Sequence, residues 1–183
     1  DKIHLVPFGE YMPLSWLFPL GPGLAAREAD YSSGREMTVM QVEGGPPFSV
    51  LICYEAIFPD LARLAVNQGA KMLINITNDG WFGETGAPYQ HLIMAGMRSI
   101  ENRVWLLRAA NTGISAAFDP AGRMVKKIPL ETEGFMTVSV PVEPLVGSWY
   151  TAYGDFFAWA CLAVSAWLGL AAISGPRLRA FLD

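Results

Sequence analysis

The chemistry open to this 183-residue chain is concentrated in a few side chains. Cys53 stands in "SVLICYEAIFPD", residues 49 to 60, where a short apolar run from Val50 to Ile52 ends. An aromatic, Tyr54, and an acid, Glu55, follow it. A thiol at the C-terminal end of a strand and before a helix occupies the place where α/β folds put reactive groups. A sharp strand-to-helix turn exposes the side chain. It also frees backbone N–H groups that lower a thiol pKa and hold an oxyanion. Such a nucleophile needs a base and a nearby positive charge. Lys2 is a cation in an unusual setting, followed by the apolar "IHLVPFGE" rather than by other charges. Taken alone, Cys53 still fits a core residue better than a nucleophile, and Lys2 fits a surface lysine better than a catalytic one.

Other chemistries find little support. His4 and His91 have no cysteine or second histidine at ligand spacing, so both read as hydrogen-bonding or packing residues and no metal site is expected. Two cysteines in such different surroundings do not make a disulfide framework. A net charge of −4 without any basic run excludes nucleic acid as a partner. The hydrophobic share of 52% and a mean hydropathy of +0.28 are high for a fully soluble domain.

The elements that would position Cys53 alternate in type. Residues 1 to 35 are rich in Pro and Gly and read as loop with one short helix, long enough to suggest a lid or binding loop. Residues 37 to 44 and 48 to 53 read as strands joined by "GGPP". "PDLARLAVNQGA" reads as an amphipathic helix with Leu61, Leu64 and Ala65 on one face and Gly69 as its stop. "MLINIT" is a nearly continuous apolar strand, as in a doubly covered sheet. A loop, "NDGWFGETGAP", leads to a second helix over 89 to 103, with Leu92, Ala95, Ile93, Met97 and Ile100 at helical spacing. Strands are expected over "VWLLRAAN", "GISAAF", "RMVKKI" and "GFMTVSVPV", with a turn at 119 to 122. This order predicts an α/β layered fold with helices covering a mixed sheet.

Residues 156 to 176, "FFAWACLAVSAWLGLAAISGP", carry no charge, and the uncharged stretch runs from Asp155 to Arg177. That is about the 20 residues a membrane-spanning helix needs. Trp149, Tyr150, Tyr153 and Trp159 crowd its start like an interfacial belt, and Arg177 and Arg179 follow it. The positive-inside tendency places that end in the cytoplasm and the preceding residues outside it, in the periplasm of a bacterium. A buried core helix is the competing reading. Cys161 lies in this stretch and reads as inert packing. Cys53 is then the one thiol outside it, in an oxidising compartment where a lone cysteine has less structural reason to exist.

Five segments, "KIHLVPFGEYMPL", "ICYEAIFPD", "NITNDGWFG", "APYQHLIMAGMRSIENR" and "RAANTGISAAFDPAGR", occur in this order. Together they resemble the C-terminal half of the bacterial apolipoprotein N-acyltransferases, the membrane-bound branch of the nitrilase (carbon–nitrogen hydrolase) superfamily. The resemblance implies the C-terminal half of a nitrilase-like α-β-β-α sandwich over residues 1–150, facing the periplasm. A transmembrane helix over 154–175 and a cytoplasmic tail over 176–183 would follow, in the inner membrane. It also implies a Glu–Lys–Cys triad with Cys53 as nucleophile and Lys2 as the lysine. The family's general-base glutamate lies upstream of that lysine, so the chain reads as a fragment, inactive alone. Glu10 matches a second active-site acid that positions the lysine or the substrate. Tyr54 would offer its backbone N–H to the oxyanion beside Lys2, Glu55 would support the site by hydrogen bonding, and Trp81 and Phe82 would line the approach to the thiol. The implied reaction moves an acyl chain from a phospholipid, typically phosphatidylethanolamine, through a Cys53 thioester to the α-amino group of a diacylglyceryl-cysteine apolipoprotein. No cofactor is implied, and the enzyme is expected to act as a monomer.

Two other readings stand beside this one. A soluble nitrilase-type amidase acting on small amides would share Lys2 and Cys53 but would leave residues 156 to 176 and the apolar loop 11 to 26 without a role. A membrane-anchored module with a decayed triad would keep the span and lose the chemistry.

Overall fold

A computed structural model describes residues 1–7, 9–11, 31–141 and 147–174. Most of the apolar loop 11 to 26 and the tail 176–183 lie outside these residues. Six strands form one sheet in the order β1 (Val39–Met40), β2 (Phe48–Ile52), β3 (Met72–Asn78), β4 (Trp105–Asn111), β5 (Ser115–Phe118) and β6 (Met124–Ile128). Strands β2, β3 and β4 are parallel, and β1, β5 and β6 join antiparallel to their neighbours. Parallel neighbours require a crossover. Two helices supply it: α1 (Pro59–Asn67) between β2 and β3, and α2 (Ala87–Asn102) between β3 and β4. Proline begins α1, where its missing N–H costs nothing. Gly69, at φ +109°, ends that helix's run as expected.

Both helices cover one face of the sheet. Leu61, Ala62 and Ala65 of α1 and Leu92 and Ala95 of α2 share one buried cluster with Leu51, Leu73, Leu106, Ala116 and Phe118. Alternation along the strands sets which residues enter it. On the opposite face Val50, Ile74 and Leu107 are only half-buried and Ile76 is exposed. Of the expected α-β-β-α sandwich, the described residues form one helical layer and one mixed sheet.

Helix α2 sits tight on β5. A Cβ built on Gly96 would come within 2.7 Å of the Phe118 ring. Both groups are buried, so neither has free space to move into. Gly96→Ala is expected to cost about 1–3 kcal/mol of stability by overpacking, measured by chemical denaturation.

Three expectations need correction. The strand read over 37 to 44 shortens to Val39–Met40, because the chain turns at Glu43–Gly45, with Gly44 at φ +75°. No strand forms over 134 to 141 of "GFMTVSVPV"; Met136, Val138 and Val140 are half-buried in alternation with exposed residues such as Phe135, but the segment makes no ladder with a neighbouring strand among the described residues. Leu64 is exposed, because the buried stripe of α1 runs through Leu61, Ala62 and Ala65 instead. On α2 the five apolar residues keep the expected helical spacing, with Leu92 and Ala95 in the buried cluster and Ile93, Met97 and Ile100 as an exposed stripe.

After residue 147 a short helix, α3 (Trp149–Tyr153), docks on the domain. The Arg63 side chain donates from Nε to the carbonyls of Tyr150 and Thr151, and Asn67 donates to Thr151 as well. Helix α4 (Phe156–Ser174) follows, 19 residues with no charge. At 1.5 Å per residue it is about 28 Å long, against about 30 Å of bilayer hydrocarbon. Among the described residues no helix is long and apolar enough to cross a membrane.

Candidate active site

Strand β2 ends at Ile52, and Cys53 opens a 3-10 turn, Cys53–Ile57, instead of an α-helix. The backbone at Cys53 is left-handed, at φ +52°. For a residue with a Cβ this costs about 1–2 kcal/mol, so its surroundings must hold it there. Glu55, fully buried two residues on, does part of this. Its Oε2 accepts from the Ile52 N–H at 2.7 Å, across the elbow that carries the thiol.

The other oxygen of Glu55 reaches the N-terminal segment. Oε1 accepts from the N–H groups of Ile3 (2.5 Å) and His4 (3.2 Å). One carboxylate therefore ties the Lys2 backbone to the Cys53 elbow. From the other side, Gly34 donates its N–H to the Lys2 carbonyl at 2.6 Å. The chain then turns back at residues 6 to 10, with the Glu10 N–H on the Val6 carbonyl at 2.9 Å. This brings Glu10 onto Lys2: Nζ donates to both carboxylate oxygens, at 2.5 and 2.7 Å. The Val6 N–H adds a contact to Oε2 at 2.9 Å. His4 packs against Phe58, with ring centroids 4.3 Å apart, as a packing residue would. Phe58 in turn meets Tyr54 edge-on.

A cavity of about 530 Å³ opens over the thiol. Cys53, Tyr54, Glu10, Trp81, Phe82 and Met94 are among its walls, with Val6, Pro7 and Ile57 adding apolar surface. Trp81, 82% exposed, stands at its mouth on the short turn Gly80–Phe82. Of the residues singled out in the sequence, Cys53, Tyr54, Glu10, Trp81 and Phe82 share this cavity. Lys2 reaches it through Glu10, and Glu55 lies behind the wall. Among the described residues no cluster of three or more His, Cys, Asp or Glu could hold a metal ion.

A buried polar chain under the cavity is not evident from sequence. Strand register sets Asn75 of β3 beside Arg108 of β4 on the helix-covered face, and their side chains bond. Arg108 also donates to Asp79 Oδ2 at 2.6 Å, with both side chains fully buried. The other oxygen of Asp79 meets His91 Nδ1 at 2.9 Å. Burial alone would raise the Asp79 carboxyl above its ordinary 3.8, but the His91 hydrogen bond and the Arg108 charge outweigh it and hold it below. Burial lowers Arg108 from its ordinary value, while Asp79 and, more weakly, an ionised Cys53 pull it back up. One signal could have pointed here: an arginine inside the apolar strand "VWLLRAAN" has to find a buried partner.

Residues 1–149 match the carbon–nitrogen hydrolase family. The chain is 46% identical to the apolipoprotein N-acyltransferase of Geobacter metallireducens over 91% of its own length and 32% of that protein. It is 44% identical to the apolipoprotein N-acyltransferase of Rhodopseudomonas palustris, over 85% of the chain and 29% of the relative. It thus spans about a third of the length of these curated relatives. Among solved structures, a NitN amidase from a Nesterenkonia species aligns over 72% of this chain and 47% of its own, at 25% identity and a TM-score of 0.48. Saccharomyces cerevisiae Nit3, of the nitrilase superfamily, aligns over 56% of this chain and 40% of its own, at 28% identity and a TM-score of 0.46. Because the family match takes in every strand among the described residues and the wall of the Cys53 cavity, the chain belongs to the carbon–nitrogen hydrolases.

Proposed function

We propose that this chain is the catalytic C-terminal part of an acyltransferase that N-acylates the diacylglyceryl-cysteine of apolipoproteins from a phospholipid donor. One observation carries the reading: Cys53 opens into a cavity whose walls are largely apolar, suited to an acyl chain rather than to a small amide. The identity to apolipoprotein N-acyltransferases supports it.

In the first half-reaction the Cys53 thiolate attacks the ester carbonyl of the lipid, phosphatidylethanolamine in the expected case. A C–S bond forms, and the oxyanion is met by Lys2 and the Tyr54 backbone N–H. The C–O bond breaks, the lysophospholipid leaves with a proton, and a thioester remains. In the second, the α-amino group of the lipoprotein attacks the thioester. The C–N bond forms, the C–S bond breaks, the amine proton passes to the base, and the thiolate returns. Trp81 and Phe82 line the entry of the acyl chain. Glu10 keeps the Lys2 ammonium in place through its two contacts. Neither Glu10 nor Glu55 serves as the base in this reading. Glu10 is engaged by Lys2 and the Val6 N–H, and both oxygens of the buried Glu55 are taken by backbone N–H groups. The base is assigned to a glutamate upstream of Lys2 in the full-length protein.

In this reading residues 154–175 cross the bacterial inner membrane, the catalytic part faces the periplasm, and the enzyme works as a monomer. The support is the helix itself. Phe157, Trp159, Leu162, Val164, Trp167 and Leu170 are all exposed, so α4 is apolar all round rather than along one stripe. A helix of that kind needs a core or a bilayer around it. Full-length protein in phosphatidylethanolamine vesicles is expected to gain one acyl chain by intact-mass measurement and to release lysophospholipid. It is then expected to lose the chain to a diacylglyceryl-cysteine peptide as an amide. Protein that never acquires the chain would sink the reaction, and protein washed from the vesicles by carbonate would sink the membrane span.

A further inference from the structure

The carbonyl of Cys53 is held from below by a side chain that the proposed reaction does not use. His91 Nε2 lies 3.2 Å from that oxygen. A carbonyl only accepts, so Nε2–H is the donor in this contact. The opposite ring nitrogen, Nδ1, lies 2.9 Å from Asp79 Oδ1 and 3.2 Å from Arg108 Nη2, and Asp79 is anchored by Arg108 at 2.6 Å. Asn75 closes the loop: its oxygen takes a bond from Arg108, and its amide donates to the Leu51 carbonyl at 2.9 Å, with the Cys53 carbonyl at 3.5 Å. All four side chains are buried, and together they run beneath the one left-handed residue of the elbow. His91 is also part of the cavity wall, next to Phe82, whose ring meets it edge-on with centroids 6.1 Å apart.

We propose that His91 is a positioning residue for the nucleophile: its Nε2–H holds the Cys53 carbonyl, and Asp79 and Arg108 hold the ring, so that Cys53 stays in the turn that presents it to the cavity. The inference deepens the acyl-carrier reading of Cys53 and rests on it. The design separates orientation from substrate binding. Lipid contacts come from the apolar side chains of the wall, to which His91, only 6% exposed, adds little surface; His91 acts on the angle at which sulfur meets the ester carbon. Loss of the hydrogen bond therefore slows thioester formation and leaves the lipid KM in place.

The test compares variants that differ in where they put an N–H. In His91→Gln the side-chain amide reaches the place of Nε2; in His91→Asn it reaches only the place of Nδ1; His91→Leu has none. In the full-length protein with phosphatidylethanolamine, His91→Leu and His91→Asn are expected to slow single-turnover acylation of Cys53 by about 100-fold, with His91→Gln within about 10-fold of the parent and KM unchanged in all three. The thermal midpoint is followed alongside. Equal rates in His91→Gln and His91→Asn, or parent-like acylation in His91→Leu, overturn the proposal. If His91→Leu does not fold, the Gln and Asn pair decides. If the parent itself forms no thioester, the acyl-carrier reading fails instead. The positioning role is then read from alkylation of Cys53 by iodoacetamide, where the same order of rates supports it and equal rates overturn it.

Discussion

Cys53→Ser in the full-length protein is expected to abolish the hydroxylamine-labile acyl adduct and to lower N-acyl transfer by on the order of 10³-fold or more. A thiol ionises near neutral pH and both accepts and releases acyl groups readily, whereas a hydroxyl at the same place needs a far stronger base. Size does not explain the loss, because the two side chains differ by one atom and Cys53 has a cavity in front of it. Mass spectrometry of the peptide carrying residue 53 reads the outcome. An oxyester on the new serine resists neutral hydroxylamine, so it is not mistaken for the thioester. A labile adduct that persists on another peptide would move the nucleophile elsewhere. The chain supplies its own control. Cys161 lies on the uncharged helix α4, is exposed among the described residues and is not one of the residues that line the cavity. Cys161→Ser is expected to leave both the adduct and the transfer rate unchanged.

How far the site could be read in the sequence depended on whether a feature is local. The strand-end setting of Cys53 is local, because the apolar run to Ile52 and the break after it lie within a few residues; β2 and the turn at Cys53–Ile57 follow. The two crossover helices were legible for the same reason, since each carries a proline start and a helical period. Which stripe of α2 faces inward was not legible. Leu92 and Ala95 are matched by an equally apolar outer row, Ile93, Met97 and Ile100, and only the neighbouring sheet chooses between them. The alternation over 134 to 141 misled because a strand needs a partner as well as a pattern. The buried polar chain was the least visible part. Asn75 and Arg108 are 33 residues apart and become neighbours only through the β3–β4 register. His91 was read as a hydrogen-bonding or packing residue, which holds as far as it goes. Its partners Asp79, Arg108 and the Cys53 carbonyl are 12, 17 and 38 residues away.

Glu55→Gln is expected to impair both stability and chemistry, although the side chain never enters the cavity. The carboxylate gives three backbone N–H groups their acceptor: Ile3 and His4 on one oxygen, Ile52 on the other. An amide has one oxygen. Facing it toward Ile3 and His4 turns the NH₂ against the Ile52 N–H, and the reverse orientation strands the Lys2 segment. Each way leaves a donor facing a donor at a fully buried side chain, at a cost of about 1–3 kcal/mol in chemical denaturation. Glu55→Ala strands all three donors, and the loss rises to on the order of 3–5 kcal/mol. The effect on rate is larger than stability alone predicts. Glu55 is the link that fixes the Lys2 backbone against the Cys53 elbow, so its loss lets cation and nucleophile drift apart while both remain intact. A displacement of about 1 Å at such a pair costs on the order of 100-fold in rate. Single-turnover acylation at a temperature where Glu55→Gln is fully folded separates the two effects. A folded Glu55→Gln that forms the thioester at the parent rate would show that the Lys2 segment finds its place without this carboxylate. Glu10, with its grip on the ammonium at 2.5 and 2.7 Å, and the Gly34 N–H on the Lys2 carbonyl would then have to fix the lysine between them.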